Sequence, residues 1–104
     1  MQKFKAVILP AAQDDITDAI EFYKKINAAL AKRFYKATKS TVNDLKNMPM
    51  FQIKYDQIRL RIIRKFPYTI HYTVDESTHT IYIYGVRYAS SDPKTWPKEL
   101  RFIV

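Results

Sequence analysis

The chain has no cysteine, one glycine (Gly85) and two histidines (His71 and His79) among its 104 residues. Each shortage removes a class of chemistry. Without cysteine there is no thiol nucleophile, no disulfide framework and no thiolate-bound zinc. A phosphate-cradling loop needs several glycines so that the backbone can approach its ligand, and one glycine cannot build it. With so few histidines a transition-metal site would draw mostly on carboxylates, and none are suitably spaced. No cofactor or metal is therefore expected. No stretch approaches the ~18 apolar residues of a membrane-spanning helix. Lys3 and Lys5 precede the apolar run Ala6–Leu9, as at the start of a secretion signal, but the run is short and Asp14-Asp15 follow at once. The expectation is a cytoplasmic, single-domain chain over residues 1–104 with no membrane association.

What is abundant is positive charge. Eighteen Lys and Arg face ten Asp and Glu, a formal net charge of +8. A small basic domain expects an acidic partner, either nucleic acid or protein. Residues 54–65 concentrate the charge, with Lys54, Arg59, Arg61, Arg64 and Lys65 against Asp56 alone.

The hydrophobic period changes once along the chain. Residues 3–9 read as a short strand stopped by Pro10. A helix follows, with Asp14, Asp15 and Asp18 near its start, Lys24 and Lys25 near its end, and a stripe of Ile16, Ala19, Ile20, Tyr23 and Ile26. Asn27 interrupts or caps. A second helix runs from about Ala28 to Asn47, with the stripe Leu30, Phe34, Ala37, Thr38, Thr41, Val42 and Leu45 and with Lys32, Arg33, Lys36, Lys39 and Lys46 opposite. Pro49 ends it. Three alternating segments then read as antiparallel strands, with Asp75–Thr78 as the turn between the last two. The order β-α-α-β-β-β predicts an α+β domain: a helical hairpin on one face of a mostly antiparallel four-stranded sheet. Ile58, Leu60, Ile62, Ile70, Tyr72, Val74, Ile81 and Ile83 are expected in the core. Arg59, Arg61, Thr69, His71, Thr73, Tyr82 and Tyr84 are expected on the opposite face, and Gly85 at the end of the last strand. Residues 89–104, with Asp92-Pro93 and Trp96, are expected to pack back on the domain.

That opposite face carries the candidate chemistry. Lys54, Arg59, Arg61 and Arg64 can bind an anionic partner or clamp phosphate oxygens. The plainer alternative is a solvated face. His71 titrates near neutrality and can act as a base toward a ribose hydroxyl; as a lone strand histidine it is more simply a surface residue. Tyr82 and Tyr84 can stack bases or pair across strands. Asp14 and Asp15 project about 100° apart on a helix, so they share no proton and read as helix-start residues.

The motifs Ile58-Arg59, Phe66-Pro67-Tyr68-Thr69-Ile70-His71-Tyr72-Thr73-Val74-Asp75, Ile81-Tyr82-Ile83-Tyr84-Gly85-Val86 and Asp92-Pro93-Lys94-Thr95-Trp96 stand in a telling order. In that order and spacing they resemble the RelE/ParE superfamily of toxins from type II toxin–antitoxin modules. The resemblance covers nearly the whole chain. It implies a growth-inhibiting toxin neutralised by a cognate antitoxin, whose C-terminal segment, often acidic, sits on the arginine-bearing surface. Two activities occur in the superfamily: inhibition of DNA gyrase without catalysis in the ParE branch, and metal-independent, ribosome-dependent cleavage of mRNA in the RelE branch. The nuclease reading would place Arg59, Arg61 or Arg87 on the transferring phosphate and Tyr88 or His71 on its protons. Related members carry a histidine and an arginine where this chain has Tyr88 and Ser91, which favours the ParE branch. A third reading is a toxin fold that has lost activity and only binds a partner.

Overall fold

The computed structural model describes residues 3–88. Two helices and five strands follow in the order β1 (Lys5–Ile8), α1 (Pro10–Ile26), α2 (Ala28–Asn47), β2 (Ile53–Tyr55), β3 (Ile58–Ile62), β4 (Tyr68–Asp75) and β5 (Thr80–Tyr88). The strands form one sheet in the order β1-β5-β4-β3-β2, antiparallel except for the parallel β1–β5 pair. The sheet thus has one strand more than expected. The added β2 is three residues long, too short to show a period, and joins β3 through a tight turn. Residues 89–104, and with them the expected packing of Asp92-Pro93 and Trp96, lie outside the described residues.

Pro10 starts α1 rather than merely ending β1, because a proline at the first helical position loses no hydrogen bond. Asp14 and Asp15 therefore fall in the second turn. Asn27 caps α2: its Oδ1 accepts the Ala29 N–H at 2.7 Å, while its own N–H closes α1 on the Tyr23 carbonyl at 2.8 Å. Ala12, Ile16, Ala19 and Tyr23 of α1 and Ala31, Phe34 and Leu45 of α2 enter the core, but Ile26, at the frayed end of its stripe, is exposed. Thr38 and Thr41 are buried in α2 with their hydroxyls bonded to the Phe34 and Ala37 carbonyls. Phe34 meets Tyr23, Phe66 and Tyr68 at ring separations of 5.2, 5.2 and 5.1 Å, locking the hairpin to the β3–β4 loop.

A bulge re-phases β5. His71 pairs with Gly85 and Tyr72 with Ile83, so Tyr84 has no opposite residue. Ile81, Ile83 and Val86 then all reach the core, so the strict alternation of this strand stops at the bulge. The strand also continues past Gly85 to Tyr88. The glycine has a steric reason. Beyond Ile8 nothing in β1 pairs with β5, and Asp15 takes over the edge: its Oδ2 accepts the Val86 N–H at 3.0 Å. A Cβ on Gly85 would stand 3.3 Å from that same oxygen. With no other glycine available, the left-handed turn positions fall to Asp56, Lys65 and His79.

The largest correction concerns β3. Arg59 is opposite Tyr72 and Arg61 opposite Ile70, whereas Leu60 is opposite His71 and Ile62 opposite Thr69. Directly opposed residues share a face. Arg59 and Arg61 therefore leave the sheet on the side of the core residues Ile70 and Tyr72, and Leu60 and Ile62 leave on the other. The expected phase of this strand is inverted. The reason is coverage: the helices pack chiefly on β5 and β1. The space beyond them is filled by residues 48–52. Pro49 is buried there, and the Tyr72 hydroxyl donates to its carbonyl at 2.8 Å.

Two outcomes follow from these contacts. Asp15→Ala leaves a half-buried N–H at the sheet edge and should destabilise by about 1–3 kcal/mol in urea unfolding, while Asp14→Ala, at an exposed position, should cost little. Burial pushes the Tyr72 phenol from 10.0 up to about 12, against the lowering pull of Arg59 and Arg61. Between those pH values the unfolded chain releases this proton and the folded chain keeps it, so stability falls as pH rises. The two-unit rise corresponds to a loss of roughly 2–3 kcal/mol. Tyr72→Phe should remove that part of the alkaline decline in unfolding free energy measured from pH 9 to 12.

Candidate binding groove

The inverted phase of β3 builds one of two grooves on the surface. Between α2 and the β3–β4 connection runs a groove of about 440 Å³ lined by Leu30, Arg33, Ala37, Ser40, Thr41, Asp44, Arg61, Ile62, Arg64, Lys65 and Phe66. Its floor is apolar or small, from Leu30, Ala37 and Phe66. Its rim carries Arg33, Arg61, Arg64 and Lys65 against the single carboxylate of Asp44. Such an excess of one sign in a concave site draws in the opposite charge. Lys65 is held in the left-handed region, at φ 68°, as the chain turns from β3 toward β4.

Arg61 is positioned from behind. Its guanidinium lies 4.6 Å from the centre of the Phe51 ring, close enough for a cation–π contact. Arg59 plays a different part. It is half-buried, and its Nη1 donates to the Phe51 carbonyl. Arg59 therefore ties residues 48–52 to the sheet and holds the ring on which Arg61 rests. Lys54 lies near the same place, lining a smaller depression of about 220 Å³ with Phe51, Gln52, Leu60, Arg61 and Ile62. Of the cationic residues expected to act together, Lys54, Arg61 and Arg64 thus flank one stretch of β3, and Arg59 supports it.

The remaining candidates lie elsewhere. Tyr84, Arg87 and Tyr88 line a second groove of about 600 Å³ at the far end of β5, with Asp15, Asp18, Phe22 and Tyr68. Tyr84 and Tyr88 are exposed there, and the Tyr88 ring packs edge-on against Tyr68 at 5.5 Å. Burial raises the phenols of Tyr23 and Tyr68, and the neighbouring tyrosines raise them further. His71 is buried, 4% exposed, on the face away from the helices, with Nδ1 2.9 Å from the Tyr55 hydroxyl. It is not the surface histidine expected. Tyr82 is half-buried on that face, opposite Thr73 and Val7. Arg87 opposes Thr69, whereas Arg61 opposes Ile70, so the two arginines start from opposite faces of the sheet. Among the described residues no group of three or more His, Asp or Glu is placed to hold a metal ion, and no helix is long and apolar enough to cross a membrane.

Sequence reasoning missed Phe51, which lies in an aperiodic connection, read Pro49 only as a helix stop, and treated Arg33 as solvated helix surface. A signal for Arg33 does exist: Arg33, Ala37, Ser40 and Asp44 recur at helical spacing as a strip beside the buried stripe of α2.

Comparison with known proteins agrees with this architecture. Residues 6–93 match the family described as the ParE toxin of the type II toxin–antitoxin system parDE. No curated protein sequence matches. Among solved structures, the toxin–antitoxin complex RelBE2 from Mycobacterium tuberculosis is similar in fold, with a TM-score of 0.55 at 14% identity, covering 83% of this chain and 98% of that one. The chain belongs to the ParE toxin family and is a toxin component of a type II toxin–antitoxin system.

Proposed function

We propose that this toxin arrests growth by binding its target rather than by cutting RNA, with DNA gyrase as that target, and that a cognate antitoxin holds it inactive in the cytoplasm. The observation that carries the reading is the scatter of the groups a nuclease would need. Arg61 and Arg87 start from opposite faces of the sheet, and His71 is buried beside Tyr55. General acid–base catalysis and phosphate stabilisation require such groups around one reacting atom. The basic groove along α2, in contrast, gathers its cations on one rim, as a site for an acidic protein segment would.

One observation favours the RNA-cleaving alternative. Arg87, Tyr84 and Tyr88 share the second groove, with both phenols exposed. Tyr88→Phe separates the readings. If the toxin acts by binding, the substitution should change growth inhibition less than about twofold. If Tyr88 moves a proton, inhibition should fall by roughly the 10²–10⁴ of a general acid–base group.

Induction in bacteria without an antitoxin tests the proposal itself. The expected outcome is growth arrest with accumulated gyrase-cleaved DNA and intact ribosome-bound mRNA. Discrete cuts in that mRNA would establish the alternative. Unimpaired growth with folded protein present would leave a partner-binding protein without toxicity.

A further inference from the structure

The groove at the far end of β5 gathers exposed rings. Of the five phenylalanines among the described residues, four are buried or half-buried and Phe22 is exposed, over 53% of its surface. Phe22 shares this groove of about 600 Å³ with the exposed Tyr84 and Tyr88. Tyr68 completes the aromatic wall, edge-on to Tyr88 at 5.5 Å. Rings left in water cost hydrophobic free energy, and several of them around one concavity mark a place where a partner covers them. Two carboxylates stand beside the rings. Asp15, Asp18 and Phe22 follow one another at three- and four-residue steps and so form one strip along α1. Asp15 Oδ2 accepts the Val86 N–H, which leaves Oδ1 to accept from a ligand. Asp18 is exposed, and among the described residues no hydrogen bond or ion pair engages it.

The charge of this groove is opposite to that of the chain. Two aspartates face one arginine, Arg87, a formal balance of −1 on a chain of +8. Arg87 opposes Thr69 on the side away from the helices, and its Nε lies 3.4 Å from where a Cβ on Gly85 would stand, so it rests on the strand. An aromatic face attracts a cation, and a neighbouring carboxylate pairs with the cation's N–H groups. A guanidinium answers both demands, because it is planar, weakly hydrated, stacks on rings and presents its donors as a fork. An ammonium group satisfies the carboxylates but keeps its hydration shell against the rings. We infer that this groove docks an arginine side chain from a basic segment of the toxin's protein target, with the guanidinium against Phe22, Tyr84 and Tyr88 and its N–H groups on Asp15 and Asp18. The α1 side of the groove, from Ala11 to Phe22, is about 16 Å long at helical rise, which an extended segment of about five residues spans. A nucleotide would stack on the rings but would bring its phosphate to the aspartates. A second copy of the chain also offers arginines, but two surfaces of +8 repel each other. The inference rests on the target-binding reading given above and adds the place and the chemistry of the contact.

The test titrates the isotope-labelled chain with the end-blocked peptide Gly-Leu-Arg-Leu-Gly, followed by nuclear magnetic resonance at about 0.15 M salt, where charges more than ~8 Å apart are largely screened. Amide signals should move at Asp18, Phe22 and Val86, the last because an arginine on Asp15 alters the carboxylate that holds its N–H. Citrulline in place of arginine keeps the shape and drops the charge, and should weaken binding at least tenfold; lysine should weaken it at least threefold. Asp18→Asn and Phe22→Ala should each weaken it at least fivefold. Glu76→Gln removes the same charge as Asp18→Asn from the exposed turn at the other end of the β4–β5 hairpin, and should change affinity less than twofold. If Phe22→Ala fails to fold by circular dichroism, the Asp18 and Glu76 variants carry the comparison. Equal affinity for the citrulline peptide, equal losses in Asp18→Asn and Glu76→Gln, or shifts confined to residues 61–65 would overturn the proposal. So would AMP moving the groove amides where the arginine peptide does not. Induction in bacteria separates the groove from the reading on which it rests. Asp18→Asn should lower the accumulated gyrase-cleaved DNA at least fivefold, and an unchanged amount defeats the groove alone. A chain that binds the peptide in the groove and accumulates no cleaved DNA defeats the gyrase reading alone.

Discussion

The pairing of Arg59 with Tyr72 and of Arg61 with Ile70 decides what this surface can do. Because the side-chain period of a strand is two, a shift of one residue would exchange the faces of every side chain in β3. In the observed register the arginines share the side of the helices. They become the far wall of a groove whose near wall is α2. Residues 48–52 complete the arrangement. Tyr72 and Arg59 each hold one of their carbonyls, and Phe51 in turn supports the Arg61 guanidinium. A basic strand alone would be a solvated stripe. The same strand set beside an apolar floor becomes one wall of a concave basic surface.

Much of the fold was legible in the sequence. The helical stripes of α1 and α2, the break at Asn27, the stop at Pro49, the strand β4 and the alternation of β5 as far as Ile83 follow from local propensity and period, and the structure agrees with them. The failures share one physical cause. Alternation reports that a strand has two unlike faces but not which face meets the helices; for β3 both Arg59/Arg61 and Leu60/Ile62 were consistent with the pattern. Coverage decides the matter, and coverage depends on how far two helices extend over a five-stranded sheet. The Tyr84 bulge is invisible for a related reason. It depends on how β5 meets both β4 and the Asp15 carboxylate, a partner 71 positions away in sequence.

The candidate site was legible as residue types and not as a constellation. Lys54, Arg61 and Arg64 do come together along one stretch of β3. His71, Tyr82 and the Arg87–Tyr88 pair do not join them, although all lie on strands that read as one functional face. The bulge separates the end of β5 from the rest, and burial withdraws His71. Gly85, the single glycine of the chain, belongs to the same account. It admits the Asp15 carboxylate to the sheet edge, which secures the strand segment bearing Arg87 and Tyr88.

The central claim is that the placement of the β3 cations, not the net charge of +8, selects an acidic partner. Two variants with the same net charge of +4 test it directly: Arg61→Glu with Arg64→Glu in the groove, and Lys25→Glu with Lys39→Glu on the exposed helix surface. Affinity for an acidic peptide is the quantity to measure, at fixed ionic strength. The account predicts a loss of about 100-fold or more for the groove pair, roughly 3 kcal/mol, and less than about threefold for the helix pair. Equal losses in the two variants would contradict it, because they would show that total charge alone governs binding.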